Sequence, residues 1–342
     1  MKNNILNIAV IGCSPMGALH MKGVDAAEGA RLYAICDTAE EQIKARLEEG
    51  FKPEKTCLDY RELLSDENID AAVIVTPDKC HLDMVRDFLR AGVDVLCEKP
   101  MALTLAECEE MLRVEKETGM KLMIGQVCRY TPGFVKAKEL VDSGRIGELI
   151  FVESEYAHNY TEARGYNDWR VDKDRHVVIG GGCHAIDLLR WIAGNPTEVY
   201  ALSNHKGLLD WPTDDTAIAV YKFPNNVIGK VFVSSGCKRN YTMRSVFYGT
   251  RGTVICDNTS PTISLFEAGE DGKTDYTQEI KIDVDINNHN ISAEITGFIE
   301  ALVKGDSMPV SAIEGASTVA VCCATVESTV SYAPVKIRYP EV

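Results

Sequence analysis

The first 125 residues alternate between two hydrophobic patterns, and this alternation restricts the fold more than any other feature. Ile8–Ile11, Leu32–Cys36, Ala71–Val75, Val93–Cys97 and Leu122–Ile124 are short apolar runs. They stop at Gly12, Asp37, Thr76-Pro77, Glu98-Lys99-Pro100 and Gly125. Short runs bounded this way suit parallel strands buried on both faces. Helical patterns lie between them. Met84, Val85, Phe88 and Leu89 share a helical face, and Gly92 follows as a stop. Thr104 and Glu107 match a capping box before Cys108, Met111 and Leu112, with Gly119 past the end. Such alternation predicts a doubly wound parallel sheet.

The pattern changes after residue 125. A helix is expected over 133–142, then strands over 149–156, 199–203, 217–223, 227–233, 243–248, 253–257, 263–266 and 280–284. Turn signals such as Pro224-Asn225-Asn226 and Glu270-Asp271-Gly272 separate many of them. Further helices fit 182–193, 293–303 and 314–331. This reads as an α+β domain with a large, mostly antiparallel sheet.

Composition limits the partners. The net charge of −15 argues against nucleic acid or an anionic membrane surface. No apolar stretch of about 18 residues predicts a membrane span, and the N-terminus lacks the apolar region and cleavage site of a signal peptide. The 12 cysteines include no Cys-x-x-Cys pair. They read as reduced core residues of a cytoplasmic protein. Histidines and carboxylates show no ligand spacing, so no metal is expected.

Gly12-Cys13-Ser14-Pro15-Met16-Gly17 follows the first run and opens a helix. It fits G-x-G-x-x-G with Ser14 at the middle glycine. The first glycine permits a tight turn, and the last permits close helix–strand packing. A pyrophosphate would sit on backbone N–H groups at the helix start. Asp37, followed by Thr38, ends the second run, where an acid bonds the adenosine ribose. No Lys or Arg follows until Lys44. A 2′-phosphate would meet Asp37 without a cation, which favours NAD over NADP. The expected architecture is an α/β Rossmann domain over 1–125 and an open-sheet α+β domain over 126–342.

Ligands of open parallel sheets bind outside the carboxyl ends of the strands. Thr76-Pro77 and Glu98-Lys99-Pro100 both sit at such ends. A lysine there could take a substrate hydroxyl proton, or it could simply pair with Glu98. Gln126 heads the loop after the fifth run, which should border cofactor and substrate, and Arg129 and Tyr130 follow it. Arg129 fits a substrate contact or a solvated arginine at the domain junction.

Glu98-Lys99-Pro100 resembles the E-K-P signature of the glucose–fructose oxidoreductase / inositol dehydrogenase (Gfo/Idh/MocA) family. Other landmarks appear in order: Thr76-Pro77 with His81, Gly144-Arg145-Ile146-Gly147, Trp169-Arg170, Gly182-Cys183-His184-Ala185-Ile186-Asp187, Asp214-Asp215-Thr216 and Gly249-Thr250-Arg251-Gly252-Thr253. The resemblance implies hydride exchange between a sugar-like or cyclitol hydroxyl and NAD, and a sheet used for homodimer or homotetramer contacts. It implies that Lys99 and His184 are the catalytic pair, with Asp187 orienting or structural. It places Thr76, Pro77, His81, Glu98 and Lys99 with the cofactor. Trp169 and Arg170 line the substrate or pack a domain interface.

One family position differs. Many polyol dehydrogenases of the family carry an aspartate four residues before the histidine, and here it is Gly180. Either His184 works with Lys99 alone, or another group fills the space. His176, Tyr156, Tyr160, Asp172 and Asp174 are candidates by proximity in sequence. The run Gly180-Gly181-Gly182 also suggests room for a larger substrate such as a glycoside. The leading expectation is an NAD-dependent dehydrogenase. NAD-assisted glycoside cleavage or elimination without net redox, and a non-catalytic ligand sensor, are the alternatives.

Overall fold

The computed structural model describes residues 5–268 and 279–341, so the turn expected at Glu270-Asp271-Gly272 lies outside the described residues. The chain forms two compact units. One is Met1–Gln126 with Asn290–Ala316 and Pro340–Val342; the other is Val127–His289 with Ser317–Tyr339.

The first unit runs β1 (Leu6–Ile11), α1 (Pro15–Ala26), β2 (Ala30–Cys36), α2 (Glu40–Glu48), β3 (Lys55–Cys57), β4 (Ala71–Ile74), α3 (His81–Arg90), β5 (Asp94–Glu98), α4 (Leu105–Thr118) and β6 (Leu122–Gly125). Its strands are all parallel, in the order β3-β2-β1-β4-β5-β6. The winding direction reverses between β1 and β4, where doubly wound sheets take their ligands. Ile8, Val10, Ala72, Val73 and Leu96 are wholly buried, as two-sided coverage requires. The capping box on α4 is present, and Gly119 closes that helix with φ 70°. Edge strand β3 was not anticipated, because it is three residues long and mostly exposed.

The second unit follows as α5 (Pro132–Asp142), β7 (Leu149–Ala157), α6 (Val177–Gly180), α7 (Cys183–Ala193), β8 (Glu198–Asn204), β9 (Thr216–Lys222), β10 (Ile228–Ser234), β11 (Thr242–Gly249), β12 (Gly252–Asp257), β13 (Thr262–Glu267) and β14 (Ile280–Asp283). Then come α8 (Ile291–Lys304) in the first unit, α9 (Ala312–Ser331), which runs from the first unit into the second, and β15 (Val335–Lys336). The sheet order is β14-β13-β12-β11-β7-β10-β9-β8-β15. β7 and β10 pair in parallel; the other pairs are antiparallel. α5 and α7 cover one face. On the other, Tyr200, Leu202, Ile218, Val220, Ile228 and Tyr248 are exposed. Alternate residues of β9 point to opposite faces, as strand geometry dictates.

Two contacts explain elements that the hydrophobic periodicity leaves unplaced. α8 lies against α1. A Cβ at Gly23 would come within 3.0 Å of Ile295, so a glycine sits where the helices approach most closely. In the second unit, Asp215 of the Asp214-Asp215-Thr216 landmark accepts the N–H groups of Lys206, Gly207 and Leu208 at 2.7–2.9 Å. Burial pushes its pKa up, but these donors outweigh it and hold the carboxyl below its ordinary value. The landmark clamps a loop here. All 12 cysteines are free thiols.

Candidate active site

The cradle is built by exclusion. Gly12 has φ +106°, and a Cβ there would sit 2.4 Å from the Val75 carbonyl oxygen. A Cβ at Gly17 would sit 2.0 Å from the Gly12 carbonyl oxygen. Neither position admits a side chain, so backbone is open to a close-lying phosphate. Ser14 caps α1: its hydroxyl accepts the Gly17 N–H at 3.3 Å, and Pro15 occupies the first turn. The missing middle glycine is therefore an N-cap. Cys13 is buried, and burial, with the Asp37 charge beside it, pushes its thiol up to about 12. Met16 lies in the first turn of α1.

Asp37 ends β2 with its carboxylate fixed by two backbone donors, Cys13 N–H at 2.7 Å and Ala39 N–H at 2.9 Å. Thr38 beside it is exposed. Arg46, beyond the window read from the sequence, donates to the Ser14 carbonyl at 3.3 Å and pairs with Glu49 at 2.8 Å. It braces the loop.

At the ends of β4 and β5 the residues separate by job. Thr76 and Pro77 stay half-buried at the sheet edge. His81 is buried, its ring nitrogens each 3.0 Å from a carbonyl oxygen, of Thr76 and of Pro100. It ties the two strand ends together. Glu98 turns inward: Oε1 lies 2.8 Å from His20 Nε2, and Oε2 accepts the Lys99 N–H at 3.0 Å. Burial raises its pKa, but the His20 contact and the Lys99 charge and N–H prevail and bring it to about 2. Lys99 itself is half-buried.

Sequence reasoning missed the other members of this group. His20 on α1 and Glu294 on α8 converge with Glu98, a ring nitrogen and two carboxylate oxygens within 4.8 Å of one another. Neither oxygen of Glu294 has a hydrogen-bond partner, and burial, with Glu98 nearby, holds its pKa well above the carboxylate range. Gln126, at the end of β6, is buried with both amide atoms unpartnered. A buried amide in that state fits a polar ligand group.

In the second unit His184 opens α7 and is buried. Its Nδ1 lies 3.3 Å from Cys128 Sγ, and its ring stacks on Tyr156 at 5.8 Å. Tyr156 hydroxyl meets Tyr160 hydroxyl at 2.7 Å, and Tyr241 hydroxyl lies 3.1 Å from His289 Nε2. Burial drives the Tyr156 phenol well above its ordinary pKa. Cys128, Tyr241 and His289 belong to no motif and had no sequence signal.

Arg129 and Asp187 are engaged with each other. Arg129 donates Nε at 2.8 Å and Nη2 at 2.7 Å to the two Asp187 oxygens, and Thr318 hydroxyl adds a bond at 2.9 Å. Asp187 is wholly buried. This pair ties the loop after β6 to α7.

The space at the three glycines is already filled. A Cβ at Gly180 would lie 2.2 Å from Arg175 Nη1, and one at Gly181 would lie 2.4 Å from the Tyr156 ring. Arg175 is buried, donates to the Gly180 carbonyl at 3.1 Å, and lies 4.9 Å from the Trp169 ring centroid. The suggestion of extra room for substrate is corrected: the chain's own side chains take it. The Arg175 guanidinium lies against Gly180. Arg170 stacks on Trp169 at 4.7 Å. His176 caps α6, accepting the Val178 N–H at 3.2 Å, and burial lowers its pKa. Asp172 accepts the Asp174 N–H in a local turn at 3.0 Å.

Comparison with known proteins agrees with this arrangement. An oxidoreductase family with an NAD-binding Rossmann fold matches residues 6–126, and the GFO/IDH/MocA C-terminal domain matches residues 134–255. Inositol 2-dehydrogenase 2 of Saccharopolyspora erythraea is 28% identical, covering 97% of this chain and 96% of that protein. Myo-inositol 2-dehydrogenase of Thermotoga maritima is 26% identical, covering 91% and 92%. Levoglucosan dehydrogenase, solved in complex with NADH, shares the fold with TM-score 0.87 at 21% identity, covering 98% of this chain and 99% of that one. The chain belongs to the Gfo/Idh/MocA family of oxidoreductases, and its residues 6–126 are the part that matches the family's NAD-binding Rossmann fold.

Proposed function

We propose that the protein is an NAD-dependent dehydrogenase acting on a CH–OH group of a sugar, sugar derivative or cyclitol, with Lys99 and His184 handling the hydroxyl proton. The carrying observation is in the first unit: a cradle closed to side chains at Gly12 and Gly17, in the same sheet as the strand end that bears Lys99. The relatives named as inositol dehydrogenases support the substrate class.

The nicotinamide, when bound, accepts the hydride. Gly12–Gly17 would hold its pyrophosphate, and Asp37 the adenosine ribose, which favours NAD over NADP. Gln126 offers an amide donor and acceptor beside it. Lys99 takes the proton as the C–H bond breaks. Trp169 and Arg170 are kept as substrate contacts. The exposed sheet face is the self-association surface of a homodimer or homotetramer, and the free cysteines suit the cytoplasm. No helix among the described residues is long and apolar enough to cross a membrane.

Lys99→Met tests this reading. NAD binding should stay near normal while turnover falls by about two to four orders of magnitude, the range for acid–base groups. Unchanged turnover with a purified cyclitol or sugar substrate would refute it.

A further inference from the structure

We propose that Cys57 is a peroxide-reactive modification site: once oxidised it closes a reversible disulfide with Cys36, and that bond weakens NAD binding through Asp37. The disulfide rests on the thiol pair alone. Its effect on NAD rests on the proposed place of Asp37 at the adenosine ribose.

Register brings the pair together. β2 and β3 run in parallel, and Cys36 stands directly opposite Cys57 where both strands end. Directly opposite residues of neighbouring parallel strands carry their side chains on one face, about 4.8 Å apart. A disulfide spans Cα separations of about 4.4–6.8 Å. The two side chains are already hydrogen-bonded to each other. Cys36 is buried, and Cys57, on edge strand β3, is half-buried. A small oxidant reaches Cys57 first, with Cys36 behind it.

The surroundings assign the roles. The hydrogen bond from Cys36 holds the Cys57 thiol below its ordinary range, with help from Lys55 and against burial and the charges of Glu62 and Asp59. The same contact and burial push the Cys36 thiol up. The thiolate is the nucleophile, so Cys57 attacks and Cys36 resolves. Cys13 is the third thiol of this neighbourhood. It is buried, its thiol points to the Cys36 carbonyl at 3.6 Å, and burial pushes it up as well.

The step balances with hydrogen peroxide as oxidant. The Cys57 thiolate attacks it, an S–O bond forms, the O–O bond breaks, and the departing hydroxide takes up a proton as water. The Cys36 sulfur then attacks the Cys57 sulfenic acid. The S–S bond forms, the S–O bond breaks, and hydroxide leaves with the Cys36 proton as water. A pair of electrons has passed from the thiols to the peroxide, and a dithiol returns them. Transient, redox-sensing disulfides of this kind suit a reducing compartment.

Backbone bonds carry the effect to the cradle. Asp37 N–H donates to the Cys57 carbonyl at 3.3 Å, and Gly12 N–H donates to the Cys36 carbonyl at 2.8 Å. The Asp37 carboxylate in turn holds Cys13 N–H at 2.7 Å. A disulfide brings its Cβ atoms to about 3.8 Å, closer than the strand spacing. Closing it draws the edge strand inward, and Asp37 moves with the Cys57 carbonyl.

The test is a peptide map of the intact chain after hydrogen peroxide, with remaining thiols alkylated before digestion. Trypsin leaves Cys36 between Arg31 and Lys44, Cys57 between Lys55 and Arg61, and Cys13 between Lys2 and Lys22. The Cys36 and Cys57 peptides should emerge joined and separate on reduction with dithiothreitol. NAD affinity should fall about fivefold or more in the oxidised protein and return on reduction. Cys57→Ser and Cys36→Ser should bind NAD equally before and after peroxide. A Cys57 that stays a thiol, ends as sulfinic acid or joins Cys13 overturns the proposal. Equal NAD affinity in the linked and reduced wild type, or peroxide-sensitive affinity in Cys57→Ser, overturns the coupling to Asp37. The wild-type map decides alone if the serine variants do not fold. Reduced wild type that binds no NAD would refute the proposed function separately, and the map would still decide the disulfide.

Discussion

At the residue scale, Glu294 has an unusual position: a wholly buried carboxyl without a hydrogen-bond partner, next to an ionised Glu98. Unfolded, it would ionise near the ordinary glutamate value of about 4.3. Folded, burial holds its proton to much higher pH. Between those values the folded state binds more protons, so stability falls as pH rises. Its contribution is complete below the unfolded value and is lost as pH rises through the folded one. Glu294→Gln cannot titrate. From pH 5 to pH 8, urea denaturation should show the variant gaining on the wild type, by at most about 1.4 kcal/mol per pH unit. A difference that stays flat would mean Glu294 is already ionised at pH 5. Lys99 and Asp37 could be singled out in the sequence because each follows or ends an apolar run that forms a strand. Glu294 was not, since its neighbours His20 and Glu98 reach it only through tertiary packing. The Cys128–His184 contact is hidden for the same reason.

At the element scale, the glycines before α7 are set by what lies above them. Gly180→Asp would supply the carboxylate that the family resemblance leads one to expect, but its Cβ meets the Arg175 guanidinium. Overpacking a filled site of this kind costs about 1–3 kcal/mol. The substitution should lower the melting temperature, and Arg175→Ala/Gly180→Asp should recover part of the loss. Equal melting temperatures for Gly180→Asp and wild type would show that Arg175 moves aside freely. A glycine run in a sequence says that a side chain is excluded, but not which neighbour excludes it. The elements themselves were more readable. Apolar runs and turn residues located most strands within about two residues. β3 and β15 escaped, because a strand of two or three residues has no period to detect.

At the scale of the whole molecule, the open face of the second sheet invites a partner. Leu202 faces Ile218 across one strand pair, and Tyr200 faces Val220. Exposed together with Ile228 and Tyr248, they form an apolar surface on one side of the sheet. Light scattering after size exclusion should give a multiple of the chain mass for the wild type. Ile218→Glu/Val220→Glu should give a single chain with its NAD binding intact. A wild type that runs as one chain would remove this face as an interface. The sequence could suggest this use only through the family resemblance, since a run of alternating residues does not say which face stays uncovered.

The contact of α8 with α1 bears on how such a protein can be taken apart. The helix that supplies Ile295 against Gly23, and Glu294 beside His20, is encoded more than 160 residues after the last strand of the first unit's sheet. The nucleotide-binding half is therefore not a contiguous cassette. Cut out at Gln126 and grafted elsewhere, it would arrive with one flank of α1 bare and the Glu98–His20 pair open to water. A chimera built from this chain has to carry two segments, and a gene fusion that swaps only the first would inherit the cradle without its lining.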